Sequence, residues 1–353
     1  MTAQPPNRPT ASPQPAPSAR PCPPLARLFT ARLFPARPFP ARLLTFPPVS
    51  PRVHAALVVV QVLFASLAIF GRVILQTVPA GALVLVRITG AAAVLLAVQA
   101  ASGRPWVSDR RDVAKLALLG LLGVSCNQAF FLFGLRHTSA TNATILVATI
   151  PAFTVLGSIL LRREPPSPLK LAGIAAAGAG TVWLIGPDRL DLAPGAALGN
   201  ALIVIGMIAY TFYLLNSRPL IAKWSPVTVS AYVMGFGALG VLPIGLPAAA
   251  RMDLSTVTPL VWALTAYVVV FPTIIAYFLN IWALRRASSN IVAVYVYLQP
   301  VLTALVAPLL LEGEGLTTRA GLAGLLIFAG VGMVILAERR QHRELAGEPP
   351  VGR

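Results

Sequence analysis

Ten apolar stretches of about 20 residues constrain this 353-residue chain more than any other feature. A helix of that length spans a hydrocarbon layer roughly 30 Å thick. The chain is 56% hydrophobic and only 11% charged, too little charge to cover a water-soluble protein of this size. The pattern therefore predicts an all-α integral membrane protein with ten transmembrane helices. The predicted spans are 53–75, 81–101, 113–134, 140–161, 168–186, 196–216, 227–249, 257–283, 288–311 and 319–337.

One helix-opening phrase occurs twice. LRHTSATNATILVATIP ends at Pro151, and LRRASSNIVAVYVYLQP ends at Pro300, 149 positions later. The chain is therefore interpreted as two five-helix repeats, over residues 53–187 and 196–337. Because five is an odd number, the second repeat enters the membrane from the opposite side. Inverted repeats of this kind are typical of secondary transporters, whose substrate site lies near the membrane midplane.

The charge pattern predicts the orientation. If the N-terminus is cytoplasmic, the inner loops and the C-terminal tail at 338–353 carry fifteen basic residues and the outer loops carry four. The positive-inside rule then places both termini in the cytoplasm of a multi-pass protein of the inner (plasma) membrane. We interpret the net charge of +17 as a topology signal and expect no nucleic-acid partner.

The first fifty residues differ from the remainder of the chain. They are rich in Pro, Ala and Arg, and proline at this density blocks both helix and sheet, so a disordered cytoplasmic tail is predicted over 1–50. Two interpretations stay open at this point. The tail is a basic arm that lies on anionic lipid, or it is a translated upstream leader without a role in the protein.

Several motifs resemble a known family. The segments RITGAAAVLLA, LRHTSATNATILVATIPAF followed by LLRRE, and AYFLNIWALRRASSNIVAVYVYLQPVL resemble the paired EamA domains of the drug/metabolite transporter superfamily. The resemblance covers residues 55–337. It implies ten helices, cytoplasmic termini, and in many members the export of small metabolites or amino acids. It implies little about the substrate.

Three prolines are predicted hinges. A proline inside a helix leaves the carbonyl four residues earlier without its usual donor. In lipid such a carbonyl must find a partner or border a cavity. Pro151, Pro272 and Pro300 meet this condition.

Polar side chains at helical spacing beside these prolines predict a substrate-binding wall. The shared faces contribute Gln61, Gln128, Tyr210, Tyr213, Tyr277, Asn280 and Tyr297. Arg87, six residues into its span, is added as a group that could hold a substrate carboxylate, with an interfacial anchor as the alternative. For any one of these residues, interhelical packing without substrate contact is an equally good interpretation.

The predicted function is a secondary transporter of a small metabolite, most simply an exporter of amino acids or related amphipathic compounds. An uptake permease, an integral-membrane enzyme and a scaffold are the alternatives. The spans hold no cluster of His, Asp or Glu for catalysis or metal binding, so we expect no cofactor and no metal. Glu164, Glu312 and Glu314 lie at helix ends, where a solvated structural role or a proton relay is open. The expected partners are the bilayer and the substrate, and glycines in spans five and ten would also permit a homodimer.

Overall fold

The computed structural model describes residues 49–135, 137–138, 146–185, 194–302 and 318–346. Within these ranges every regular element is helical. The predicted disordered tail therefore lies outside the described residues, except for its last two positions. Glu312 and Glu314 also lie outside them.

The α-helices are apolar along most of their length, as expected of segments that pack in lipid or against one another. They are α1 (Pro51–Ile74), α2 (Ala80–Ala101), α3 (Arg110–Gly120), α4 (Asn127–Leu135), α5 (Ile150–Leu160), α6 (Pro168–Ile185), α7 (Pro194–Lys223), α8 (Pro226–Ala250), α9 (Pro259–Val269), α10 (Ala276–Leu284), α11 (Ser289–Val294) and α12 (Thr318–Ala346). The last helix runs nine residues beyond the predicted end of the tenth span at 337.

Seven helical segments in the described part of the chain are long and apolar enough to cross a membrane. The other three predicted spans coincide with shorter apolar helices, at Ile150–Leu160, Pro168–Leu184 and Ser289–Leu302. The first of these follows residues that the structure does not describe, and the third precedes such residues. The structure thus accounts for seven of the ten predicted spans by helix length.

Two of the long segments contain the same interruption. A π-helical turn at Leu121–Cys126 joins α3 to α4, and another at Val270–Ile275 joins α9 to α10. The two turns begin at residues 121 and 270, which are 149 positions apart, as are the two sequence phrases. The α-helical segments on either side begin and end at the same offset. A duplicated repeat explains why an uncommon helical form recurs at one register.

The helices also pack in corresponding pairs. Helix α2 lies against α8, and α6 lies against α12. In the second pair the backbones approach closely: a Cβ atom added to Gly173 would lie 2.7 Å from the carbonyl oxygen of Gly330. Small residues that permit such an approach are the usual means of helix association in a bilayer. The paired packing supports the interpretation of the chain as a duplicated unit.

Candidate functional site

Helices α7 and α10 carry the centre of a polar and aromatic group that we call the tyrosine cluster: Arg87, Gln128, Tyr210, Tyr213, Tyr277 and Asn280. The Asn280 amide nitrogen donates to the Tyr210 hydroxyl across 3.1 Å. The Tyr210 and Tyr213 rings lie 5.6 Å apart, one helical turn along α7. Asn280 is 4% exposed and Tyr213 is 1% exposed, so these polar groups are buried between helices.

Tyr277 links this centre to the first repeat. It lies one turn before Asn280 on α10, and the Gln128 side chain of α4 lies near its hydroxyl. Phe64 on α1 packs edge-on against the Tyr277 ring at 6.0 Å. Residues from both halves of the chain thus meet at one tyrosine. This is the arrangement expected of a substrate site between two repeats.

The predicted hinge at Pro272 lies inside the second π-helical turn. Proline has no N–H, so the Val268 carbonyl lacks its normal donor. The Thr273 hydroxyl supplies one, at 2.7 Å. The same hydroxyl accepts a hydrogen bond of 3.2 Å from the Arg87 Nε of α2. The side chain after the proline therefore satisfies the carbonyl that the proline leaves without a donor, and it fixes Arg87 at this depth.

In the first repeat, Gly123 occupies the position equivalent to Pro272, since the two are 149 residues apart. A Cβ atom at Gly123 would lie 2.5 Å from the Tyr213 ring. The absent side chain is what lets the tyrosine pack against the π-helical turn. The Tyr213 hydroxyl is buried and has no hydrogen-bond partner among the described residues.

Gln61 and Tyr297 are bonded elsewhere. The Gln299 amide donates to the Gln61 amide oxygen at 2.8 Å, which joins α1 to the helix that follows α11. The Tyr297 hydroxyl donates to the Ile174 carbonyl of α6 at 3.4 Å. Their bonds do not connect them with the tyrosine cluster. The structure therefore places six of the eight predicted site residues on facing helices around Tyr277 and Asn280, and gives these two residues other partners.

The other predicted hinges also coincide with irregular helix. A turn at residues 148–149 comes immediately before α5, which contains Pro151 as its second residue. The chain tightens into a 3₁₀ turn at Tyr295–Tyr297 shortly before Pro300. The irregularity lies two to five residues ahead of each proline, where the lost hydrogen bond falls.

A second polar group, which we call the lysine cluster, consists of Ser158, Glu164, Lys170, Asn290 and Glu338. Lys170 Nζ lies 2.6 Å from a Glu164 oxygen and 2.5 Å from a Glu338 oxygen. The Asn290 amide donates to Glu164 at 2.5 Å, and the Ser158 hydroxyl donates to the Asn290 oxygen at 3.3 Å. The cluster connects α5 and α6 with α11 and α12.

Glu164 is less solvated than the sequence suggests, because its side chain is only 18% exposed, while its ion pair with Lys170 agrees with a structural role. Burial and the neighbouring Glu338 raise the pKa of Glu164, while Lys170 opposes the shift. One signal could have indicated this cluster: Lys170 is a charged residue inside the predicted fifth span. Beside the cluster, Arg163 donates to the Leu215 carbonyl and to Asn216, and burial lowers its pKa to about 10.

Metal ligation has no candidate in the described residues, where no three His, Cys, Asp or Glu side chains are grouped to hold an ion.

Comparison with known proteins identifies the family of the chain. The model of the EamA-like transporter family matches residues 52–186 and again residues 197–336. The chain belongs to the EamA-like transporter family. The family resemblance of the sequence motifs is thereby confirmed. The protein is a multi-pass membrane transporter and not an enzyme, so the enzyme alternative is set aside.

Two relatives and one solved structure bear on this family member. An uncharacterized transporter of Archaeoglobus fulgidus is 30% identical over 248 residues, which are 67% of this chain and 83% of the relative. A probable terminal-alkyne amino-acid exporter of Streptantibioticus cattleyicolor is 29% identical over 236 residues, covering 66% of this chain and 77% of the exporter. A crystal structure matches 82% of this chain and 98% of its own with a TM-score of 0.69. At 22% identity the last likeness concerns the fold alone.

Proposed function

We propose that this EamA-family transporter is a secondary transporter that exports amino acids or related small amphipathic metabolites by alternating access. The observation that carries the proposal is the pair of contacts Asn280–Tyr210 and Tyr277–Gln128. They join polar side chains of α4, α7 and α10, from both repeats, at the level of the π-helical turns. Hydrogen-bonding groups at this depth in a bilayer mark a substrate pathway more often than a lipid-facing surface.

The proposed topology has ten spans in two inverted five-helix repeats, with both termini in the cytoplasm of the inner membrane. The equal offset of the π-helical turns supports the duplication, and the basic residues of the loops support the orientation. Alternating access then exposes the site to one side when one repeat rocks and to the other side when its inverted copy does.

The proposed substrate site is the tyrosine cluster, with Gln61 and Tyr297 further along the pathway. A tyrosine offers a flat apolar face and one hydroxyl, which suits a small amphipathic molecule better than a highly charged phosphate. Pro151, Pro272 and Pro300 are the proposed hinges. The amino-acid class draws support from the Streptantibioticus exporter, and the tyrosine-rich lining is compatible with it.

The test compares metabolites in spent medium and in cell extract, with and without the gene and with an Asn280→Ala variant. Export predicts that at least one amino-acid-like compound falls in the medium and rises in the cell when the gene is absent, and that Asn280→Ala reproduces this change. Leu325→Ala is the matched control, because Leu325 is 68% exposed and lies on α12, which carries no residue of the tyrosine cluster. The opposite shift would favour uptake, and no shift in any compound would contradict transport by this protein.

A further inference from the structure

Arg87 is a buried cation inside a transmembrane helix, in its first half. It is the eighth residue of α2 and is 6% exposed. An arginine at the centre of a bilayer costs about 2.5–3.5 kcal/mol on insertion scales, and such groups usually face the interior of the bundle and find an anion there. The neighbours of Arg87 therefore show which group, if any, neutralises its positive charge.

No protein carboxylate neutralises Arg87 within the described part of the chain. Lysines hold two pairs of acidic side chains: Lys223 holds Asp109 and Asp112, and Lys170 holds Glu164 and Glu338. Asp253 accepts hydrogen bonds from Ser255 in an exposed loop. The guanidinium thus remains a buried positive charge without an acidic partner among these residues.

The hydrogen bonds of Arg87 leave one edge of its guanidinium open. Nε donates to Thr273, whose hydroxyl is itself committed to the Val268 carbonyl. The two terminal nitrogens make no hydrogen bond to any residue that the structure describes. With Nε fixed, those two nitrogens form a planar fork, the geometry that binds both oxygens of a carboxylate.

The fork belongs to the tyrosine cluster. Thr273 and Tyr277 are one turn apart on the same helix, and Tyr277 lies close enough to Arg87 for the two side chains to interact electrostatically. The next groups along are Gln128 and Asn280, which offer amide oxygens to an ammonium group, and the Tyr210 and Tyr213 rings, which offer apolar faces.

We propose that Arg87 binds the carboxylate of the transported compound, so that the substrate class is a small carboxylic acid with an apolar or aromatic group, α-amino acids included. This inference rests on the proposed transport function and narrows its substrate class. The substrate supplies the negative charge that the protein lacks beside Arg87. A molecule without a carboxylate leaves the buried charge unpaired and binds more weakly.

The test measures thermal stabilisation of the purified, full-length protein in lipid nanodiscs by matched probe pairs. Each pair consists of an amino acid and its primary amide, with leucine, phenylalanine, tyrosine, tryptophan, methionine and valine as the series. We expect at least one acid to bind tenfold or more tightly than its amide. Arg87→Gln should reduce that preference to less than twofold, and Arg87→Lys should retain part of it because the charge remains.

Thr273→Val separates carboxylate binding from support of the helix. It removes the acceptor of Arg87 but keeps the charge, so weakened binding that still prefers acids supports the proposal. If Arg87→Gln and Thr273→Val weaken acids and amides equally, Arg87 only supports the π-helical turn and the proposal is wrong. It is also wrong if no acid stabilises the wild-type protein more than its amide does. Export seen in the metabolite comparison would still support the transport function in that case. Failure of the carboxylate proposal can therefore be told apart from failure of the proposed transport function.

Discussion

Lys170 Nζ lies 2.6 Å from Glu164 Oε2, and the lysine side chain is only 1% exposed. A second carboxylate, from Glu338, lies on the same ammonium group at 2.5 Å. Removing one partner from a buried ion pair leaves an uncompensated charge, which is far more damaging than losing a surface pair. Removing one member of the lysine cluster should therefore destabilise the packing between α6 and α12.

Replacing Lys170 tests this contribution. Lys170→Met should lower the free energy of unfolding by about 3–5 kcal/mol, because two carboxylates are left facing each other without their cation. The measurement is a denaturation curve of the purified protein in mixed micelles. Lys115→Met is the control, since Lys115 is 28% exposed and pairs with Asp112 on the same helix. Similar losses for the two variants would show that burial of Lys170 carries no special weight.

The raised pKa of Glu164 predicts a pH dependence of stability. At a pH below 4.5, the ordinary pKa of Glu164, the carboxyl is protonated in both the folded and the unfolded protein. Its burial then does not reduce the stability of the fold. As the pH rises through the raised pKa of the folded state, the buried carboxylate ionises and stability falls. Glu164→Gln should flatten the stability curve in this interval. Asp253→Asn is the control. Hydrogen bonds from Ser255 lower the pKa of Asp253, so this replacement should alter the stability curve only at more acidic pH. An unchanged slope in Glu164→Gln would contradict the assignment.

The packing of Tyr213 on the first π-helical turn requires a glycine. Gly123→Ala would place a methyl group 2.5 Å from the ring, and the overpacking should cost about 1–3 kcal/mol. Gly332→Ala makes no contact within 4 Å and should be neutral or slightly stabilising, as alanine is the better helix former. The measurement compares the melting temperatures of the two variants, and Gly123→Ala should melt at the lower temperature. Equal values would mean that the tyrosine ring moves aside freely.

Water access separates a pathway from simple packing. In a background with Cys22 and Cys126 replaced by serine, Tyr277→Cys, Asn280→Cys and Tyr297→Cys should react with a small water-soluble thiol reagent. Transported compounds should slow this reaction. Leu325→Cys and Leu326→Cys should react poorly, because their helix face is assigned to lipid or packing. Equal labelling of both sets, or a lack of protection by any transported compound, would mean that these three side chains only pack helices together.

The proposed topology predicts the side on which each loop lies. Reporter fusions after Ser102 and after Arg343 should read cytoplasmic, and fusions near Asp191 and Asp253 should read external, because the basic residues of the loops divide in this way. A cytoplasmic reading near Asp191 would give the first half an even number of spans. Inverted repeats would then be ruled out.

The sequence by itself determined the class of protein and the duplication. Apolar segments of membrane-spanning length report directly on the solvent around the chain, and the phrases ending at Pro151 and Pro300 reported the offset at which the π-helical turns recur. Helical periodicity also indicated that Tyr277 and Asn280 share a face of one helix. These are local properties, which the order of residues along the chain fixes.

Only the tertiary structure decided which of those faces meet. Periodicity could not distinguish Tyr277, which lies beside Gln128, from Tyr297, which donates to the Ile174 carbonyl. Nor did it indicate that the Thr273 hydroxyl hydrogen-bonds with both the Val268 carbonyl and Arg87, or that Glu164 forms an ion pair with Lys170. Some of these contacts join helices that are distant in sequence. In the others, one donor could pair with more than one acceptor. The packing of α-helices against one another selects among those partners, because an unpaired polar group in the bilayer is costly.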